Sequence, residues 1–446
     1  MKNSNLKTLI EKYATSGPRY TSYPTALYFS PDADKPRLAE LAKTDTDASL
    51  YIHIPFCKTL CHFCGCSSSV CTDPKKIDDY LDLIDAELSL WRDFGMPRRT
   101  LRQIHFGGGT PNLMEVGQIL RSGEIIRKYF RVAPDVEFSC EFDPRTLSEE
   151  KIDAFLSIGL IRASLGIQDT NPAVQRAINR IQPEWLNQRF VKYLREKGIS
   201  GINADLIYGL PLQTPETFRK TLEDLAELSP DRIALFGYAH VPWVKPAQKI
   251  LEKSGLPTSD EKVELFIAAM KFFEGLGYEY IGLDHFAKAD DSLIAARKSG
   301  RLHRNFQGYS TLAGLDTFAV GLTAISDTKT TYRQNFKTMQ TYADSLALGR
   351  LPIERGIILT ADDIVRRGII MDIMCSLKVS YKSYGVDFKT VFAPAIKRLA
   401  DFERDGLVRL GEDSFEVTEL GRIFLRNIAM LFDGRLSASN KYSKTL

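Results

Sequence analysis

The sequence predicts an α/β protein, an incomplete (β/α)6 barrel of parallel strands with an N-terminal arm before it and a mainly helical, winged-helix-like C-terminal domain after it. Three observations carry that reading. Short β-rich runs alternate with longer amphipathic stretches at intervals of roughly 30–50 residues, the signature of βαβ units and a parallel sheet. The chain has 446 residues, more than a single core usually holds. Its 44% hydrophobic and 26% charged residues are those of an ordinary globular protein.

The predicted strands are Leu50–Ile54, Gln103–Phe106, Val136–Cys140, Ala163–Ile167, Ile202–Ile207 and Arg232–Phe236. Between them the apolar periodicity predicts helices over Asp78–Trp91, Gly117–Tyr129, Ser148–Leu156, Pro183–Glu196 and Pro215–Glu227. Each strand ends in residues with chemical potential, which is where parallel β/α barrels assemble active sites. A Tyr- and Pro-rich arm, Ser16–Thr25, lies upstream. Beyond about Thr360 the character changes. Helical patterns over Asp362–Leu377 and Phe388–Asp405 precede a hairpin within Gly406–Thr418, turning at Gly411-Glu412-Asp413, and a last helix over Glu419–Phe432. The expected division is an arm over residues 1–41, a core over 42–276, an extension of that core over 277–355 and a C-terminal domain over 356–446.

Bulk properties exclude several classes. The 59 basic and 56 acidic residues leave a net charge of +3, which gives no electrostatic reason to expect nucleic acid or an anionic membrane as partner. A helix-plus-hairpin unit with mixed charge is better read as a lid or packing unit than as a DNA reader. No stretch reaches the ~18 apolar residues of a membrane span. Met1–Glu11 lacks the apolar run of a signal peptide. The seven cysteines, four of them within ten positions, do not form a disulfide-like framework. A cytoplasmic location and a monomer are therefore expected.

The strongest chemical signal is Cys57-Lys-Thr-Leu-Cys61-His-Phe-Cys64, directly after the first strand. Soft thiolates favour iron–sulfur clusters, zinc or copper(I). Three thiolates on a four-iron cubane leave one iron without a protein ligand, and such an iron can bind a substrate. Zinc is the alternative, with His62 or Cys66 as fourth ligand; structural zinc prefers two spaced pairs, and no second Cys/His pair occurs. One strand later, Gly107-Gly108-Gly109-Thr110-Pro111 combines backbone freedom with close approach to a ligand. Glu141, Gln168, Arg180 and Asp205 fall at or just after later strand ends, and Phe63 beside Cys64 is placed to shield a cluster.

The cysteine run and the glycine turn together resemble the radical S-adenosylmethionine (SAM) superfamily. Within it the chain is similar to the oxygen-independent coproporphyrinogen III oxidases over nearly its whole length. The features that select this family are the Arg19-Tyr20-Thr21-Ser22-Tyr23 arm, Cys66 and His303-Arg-Asn-Phe-Gln-Gly-Tyr309. Ser67-Ser-Ser-Val-Cys71 departs from the family, which carries an Asn-containing stretch there; Cys71 reads as an incidental thiol.

The resemblance implies roles. Cys57, Cys61 and Cys64 would hold a [4Fe–4S] cluster. One SAM would lie against Tyr51, Gly108, Glu141 and Ile325. A second SAM would lie against Phe63, Gly109, Thr110, Gln168, Arg180, Asp205 and Ala239. The candidate catalytic or substrate-binding residues are Cys66, Arg19, Tyr20, His303 and Arg304, with Tyr23 and Tyr309 beside them; the plainer reading of Cys66 is a small buried thiol. The implied reaction uses a 5′-deoxyadenosyl radical to convert two propionates of a porphyrinogen to vinyl groups, giving protoporphyrinogen IX in haem biosynthesis. A low-potential electron donor is the implied partner. Two alternatives share the superfamily motifs, a radical-SAM-like haem chaperone and a haem-degrading radical SAM methyltransferase.

Overall fold

The computed structural model describes residues 3–436 and Tyr442; the rest of the expected C-terminal domain, residues 437–441 and 443–446, lies outside the described residues. All six predicted barrel strands are present: β1 (Ala48–Ile54), β2 (Thr100–Gly108), β3 (Arg131–Phe142), β4 (Arg162–Gln168), β5 (Gly201–Tyr208) and β6 (Arg232–Gly237). Each is parallel to the next. The intervening helices run over Pro74–Asp93, Val116–Tyr129, Glu149–Ser157, Glu184–Glu196 and Pro215–Leu228. Their starts are legible in the side chains. Asp73 accepts from the Lys75 N–H, Ser148 from Lys151 and Thr214 from Thr217, and Pro74 and Pro215 sit where a missing N–H costs nothing.

The sheet continues past both edges of the predicted set and does not close. Twelve strands run from Ile353–Ile358 at one end to Tyr278–Gly282 at the other. A strand over Asp316–Val320 adds to β1 in parallel, and the antiparallel strands Ile325–Asp327, Thr331–Asn335 and Ile353–Ile358 follow it. Beyond β6 lie His285–Lys288 and Tyr278–Gly282, also antiparallel. Five successive buried residues, Asp316–Val320, carry no alternation by which a short strand is recognised.

Register decides what faces inward. Side chains alternate across each strand, and Tyr51 is opposite His105, His105 opposite Ser139, and Ser139 opposite Arg162. A second row runs Glu141, Ser164, Asn203 and Arg232. All of these line one central cavity. The other face carries Leu50, Ile52, Ile54, Ile104, Phe106, Phe138, Leu165, Ile202 and Leu206, all buried with Leu81, Ile84, Leu88, Ile119, Phe155, Phe190 and Leu222 from the helices. The hydrophobic core is thus outside the sheet, and the inside is polar.

The C-terminal unit has a core of its own, built from the helices Ala361–Cys375 and Ala393–Arg404 and a small sheet. The hairpin expected within 406–418 forms as Val408–Leu410 and Ser414–Val417, and a third strand, Lys378–Ser380, completes the sheet. The helix expected over Phe388–Asp405 breaks at Phe392, because Pro394 in the first turn of Ala393–Arg404 has no N–H to continue the earlier turn. The last expected helix shortens to a 3-10 turn, Gly421–Phe424, and Leu425–Met430. The arm belongs to this unit. Leu6, Leu9, Ile10, Tyr13, Tyr20 and Tyr23 share its core with Phe402, Phe424 and Phe432. Among the described residues no helix is long and apolar enough to cross a membrane.

One buried ion pair joins the extension to the barrel. Arg99 donates from Nη2 to Asp316 at 2.9 Å and from Nε to the Thr46 carbonyl at 2.8 Å, and Asp316 also accepts from Thr44 at 2.7 Å. Arg99→Met leaves that carboxylate buried and uncompensated and is expected to cost about 3–5 kcal/mol. Equilibrium urea unfolding reads the loss, and adding Asp316→Leu to Arg99→Met recovers most of it.

Candidate active site

A cavity of about 810 Å³ opens at the C-terminal ends of β1–β6. Its rim carries the thiol loop. Immediately after β1 the chain forms a short extended stretch, Phe56–Cys57, paired in parallel with Ser69–Val70, so that residues 57–68 close into one loop over the cavity. The loop is pinned from both sides. His62 N–H donates to the Ile178 carbonyl at 3.0 Å and Asn179 Nδ2 to the Leu60 carbonyl at 2.8 Å. Gln248 Nε2 donates to the Phe63 carbonyl at 3.0 Å and Lys245 Nζ to the Cys66 carbonyl at 2.7 Å.

Each of the three thiols has a donor aimed at it. Thr110 Oγ1 donates to Cys57 Sγ at 3.4 Å, and the Cys66 N–H to Cys64 Sγ at 3.4 Å. Arg145 Nη2 and Arg180 Nη1 reach Cys61 Sγ at 3.4 and 3.6 Å. The two guanidiniums share Asp143, at 2.7 and 3.1 Å, and against the upward push of burial they hold its carboxyl below the ordinary range. The contact with Cys66 draws the Cys64 thiol down from its ordinary range. Donors of this kind stabilise thiolates, the form that binds metal. Among the described residues no three His, Cys, Asp or Glu side chains converge as a single ion requires. Three thiols on one loop, each with its own donor, suit a cluster anchored by three thiolates.

Beside the thiols, β1, β2 and β3 contribute a hydrogen-bonded wall. His53 Nε2 contacts the Ser67 carbonyl at 2.8 Å and Tyr51 Oη contacts Nδ1 at 3.0 Å. Burial lowers the His53 pKa and favours the neutral ring, so Nε2–H donates to Ser67 and Nδ1 accepts from Tyr51. A Cβ on Gly108, at φ +117°, would stand 2.7 Å from the His53 ring; one on Gly109 would stand 2.7 Å from the Phe56 carbonyl oxygen. Only glycine fits either place. The Gly108 N–H donates to Glu141 Oε2 at 3.1 Å, and His105 Nε2 lies 3.3 Å from Oε1. Across the cavity Asp205 accepts from Asn203 at 2.7 Å and Ser164 at 3.3 Å; burial, with the Glu141 charge, pushes its carboxyl up to about 7.

Residues 51–225 match the Radical SAM superfamily model, and residues 359–424 match the HemN C-terminal domain model. A curated oxygen-independent coproporphyrinogen III oxidase from Helicobacter pylori strain J99 is 40% identical over 98% of this chain and 98% of its own. The one from Escherichia coli K12 is 42% identical over 95% and 94%. A solved Escherichia coli structure, described as coproporphyrinogen III oxidase (HemN) and a radical SAM enzyme, shows a TM-score of 0.91 at 40% identity, covering 96% of this chain and 99% of that one. The chain belongs to the oxygen-independent coproporphyrinogen III oxidase family. As a radical SAM protein it works with a [4Fe–4S] cluster and SAM.

For a family member with these motifs, the structure brings most of the expected residues together. Tyr51, Phe63, Gly108, Gly109, Thr110, Glu141, Gln168, Arg180, Asp205 and Ile325 line the cavity with Cys57, Cys61, Cys64 and Cys66. Cys66 is exposed, which corrects its reading as a small buried thiol; Cys71 is buried. Six expected residues are not among the lining: Arg19, Tyr20, Tyr23, Ala239, His303 and Arg304. Tyr20 is 1% exposed, and its hydroxyl donates to Asp433 at 3.0 Å, so the ring serves the C-terminal core and not the cavity. Arg19 is paired with Asp284 at 3.0 Å and donates to the Gly237 carbonyl at 3.1 Å, pinning the arm to the end of β6. His303 is half-buried on the strand His303–Asn305, and Ala239 follows β6 just outside the wall.

Arg304 stands directly behind the wall. Its guanidinium lies over the ring of Tyr309, a lining residue, at 4.9 Å. Among the described residues no partner reaches its buried Nε and Nη1. Its neighbour His285 also lines the cavity and has an unpaired buried Nδ1; burial, then the Arg304 charge, lowers that imidazole to about 3. Sequence reasoning missed Arg145, His105 and the nearness of His285 to the Arg304 charge. Arg145 carried a signal, since it closes the Glu141-Phe-Asp-Pro-Arg145 run; the others are brought together only by register and packing.

Asp205 predicts a pH dependence. Its folded pKa, about 7, lies above the ordinary 3.8, so between those values the folded protein holds a proton that the unfolded chain has lost. Stability therefore falls as pH rises through that window. Asp205→Asn is expected to flatten this decline. Urea unfolding of metal-free protein from pH 4 to 8 checks it; an unchanged slope contradicts it.

Proposed function

We propose that the protein decarboxylates two propionates of coproporphyrinogen III to vinyl groups without oxygen, giving protoporphyrinogen IX in haem biosynthesis. The observation that carries this reading is one cavity with two chemistries on it. A loop of three donor-supported thiols stands on the rim, and the wall combines the aromatic rings of Phe236, Phe306 and Tyr309 with the guanidiniums of Arg162 and Arg232.

Cys57, Cys61 and Cys64 hold the cluster. When bound, cluster and SAM would supply the one-electron chemistry that removes hydrogen from the β-carbon of a propionate, the electron left after loss of CO2 passing to a separate one-electron acceptor. The protein's own residues bind, orient and exclude water. Glu141, already receiving the Gly108 N–H, has carboxylate capacity left for an ammonium or a ribose hydroxyl. Tyr51, Gly108, Glu141 and Ile325 form one SAM site. Phe63, Gly109, Thr110, Gln168, Arg180 and Asp205 form a second. What supports two sites is that both sets open onto the same cavity.

The substrate is an apolar macrocycle with four carboxylates. Phe236, Phe306 and Tyr309 offer aromatic surface on the cavity wall. Behind that wall Arg304, whose Nε and Nη1 have no hydrogen-bond partner among the described residues, adds a positive charge over the Tyr309 ring. Deeper in the barrel, Arg162 and Arg232 line the cavity and share the carboxylate of Asp291, at 3.8 and 2.9 Å. The expected reductant is a low-potential carrier, and the expected state a cytoplasmic monomer.

Anaerobically reconstituted protein given SAM, dithionite and coproporphyrinogen III is expected to release two CO2 per porphyrinogen and form 5′-deoxyadenosine. Stoichiometric haem binding without CO2 supports the chaperone reading instead, and a methylated product the methyltransferase reading. Arg304→Gln removes the charge behind Tyr309 and is expected to raise the KM for coproporphyrinogen about tenfold, roughly 1.4 kcal/mol of lost charge attraction. SAM affinity, measured by calorimetry, stays unchanged in that variant.

A further inference from the structure

One edge of the cavity is a tight turn, residues 321–324, between the strands Asp316–Val320 and Ile325–Asp327. Thr323, Ala324 and Ile325 line the cavity from it. The turn is not one the chain adopts unaided. Gly321 has φ +99°, and Thr323, a β-branched residue, has φ +62°. A conformation of that kind persists only where surrounding contacts over-determine it.

Those contacts come from behind the sheet, from the helix Pro74–Asp93. Glu87 on this helix is fully buried. It accepts from the Gly321 N–H at 2.9 Å and from Asn335 Nδ2 at 2.7 Å, and Asn335 Nδ2 also donates to the Gly321 carbonyl at 2.9 Å. Tyr342 donates to Glu87 at 2.5 Å, so the carboxylate is fully occupied. Two helical turns earlier, on the same face, stands Tyr80. Its hydroxyl accepts from the Leu322 N–H at 2.9 Å and donates to the His53 carbonyl at 2.7 Å, at the end of β1. A Cβ on Gly321 would collide with that hydroxyl. The neighbours of Glu87 and Tyr80 on the helix, Leu81, Ile84 and Leu88, are apolar core. A carboxylate and a phenol are costly in such a place unless paired, and their pairing is directed at the turn.

We propose that Glu87 and Tyr80 are positioning residues that set the 321–325 edge of the cavity for SAM. The inference rests on the SAM site proposed above, in which Tyr51 and Ile325 take part. Neither Glu87 nor Tyr80 lines the cavity; both act through the backbone of Gly321 and Leu322. Tyr80 joins the turn to β1, the strand that carries Tyr51, and so fixes the two sides of one SAM site relative to each other.

The test titrates SAM into reconstituted holoenzyme by calorimetry. Tyr80→Phe removes both of its bonds. Glu87→Gln replaces an acceptor oxygen by a donor and turns Asn335 away from the Gly321 carbonyl. Each is expected to weaken SAM binding about tenfold or more, because a displaced wall misplaces its ligand. Cluster content, read as iron per chain and visible absorbance, stays that of the parent. Deuterium exchange is expected to speed up at residues 321–324 in both variants. Leu88→Ala, on the same helix and equally buried, is the control for a merely structural role. It is expected to lower the urea midpoint and leave SAM affinity unchanged. An equal loss of affinity in Leu88→Ala overturns the proposal, as does unchanged exchange at the turn. Ile325→Trp tests the underlying site separately. Unaltered affinity there removes the SAM-site reading; weakened affinity there, with parental affinity in Tyr80→Phe and Glu87→Gln, removes only the positioning role.

Discussion

Everything in this molecule depends on a parallel sheet that curls without closing and turns its polar side chains inward. In a closed eight-strand barrel the interior is filled by side chains. Here the second face of each strand carries Tyr51, His105, Ser139, Glu141, Ser164, Asn203 and Arg232, and the apolar set is given to the helices outside. Because strand side chains alternate with period two, a one-residue slip in any strand would exchange those sets. Stability and site geometry are thus the same constraint, enforced by a core that has no part in the chemistry.

The thiol loop is held by a different logic. It has no regular secondary structure beyond the short pair at its base, so its shape comes from contacts to its backbone carbonyls and to its sulfurs. Those contacts originate in segments that follow β2, β3, β4 and β6. The same groups that shape the loop also neutralise thiolate charge, so positioning and electrostatic support arrive together.

The arm and C-terminal unit form a single body against the open side of the sheet. Arg426 binds the Gly17 and Pro18 carbonyls, Asn427 binds the Tyr13 carbonyl at 2.8 Å, and Tyr309 donates to the Met374 carbonyl at 3.0 Å. The last contact ties a cavity-lining ring to the helix Ala361–Cys375. The Tyr- and Pro-rich arm is, by its tyrosines, part of a hydrophobic core.

How much of this was legible in the chain follows from which forces are local. Strand and helix existence rests on periodicity and capping, so the six strands and five helices between them were readable to within a few residues, except β3, whose start at Arg131 lies outside its apolar run. The thiol spacing and the glycine turn are local too, because cluster ligation and close backbone approach are demands on neighbouring residues. The Asp316–Val320 strand and the burial of Tyr20 are not local. They depend on residues hundreds of positions apart meeting across the sheet edge and the C-terminal core. The amino-acid order therefore determined the barrel units and the sulfur donors by itself. Which arginine faces an anion, and which tyrosine merely fills a core, were decided only by tertiary packing, since burial and partner choice are properties of the folded whole.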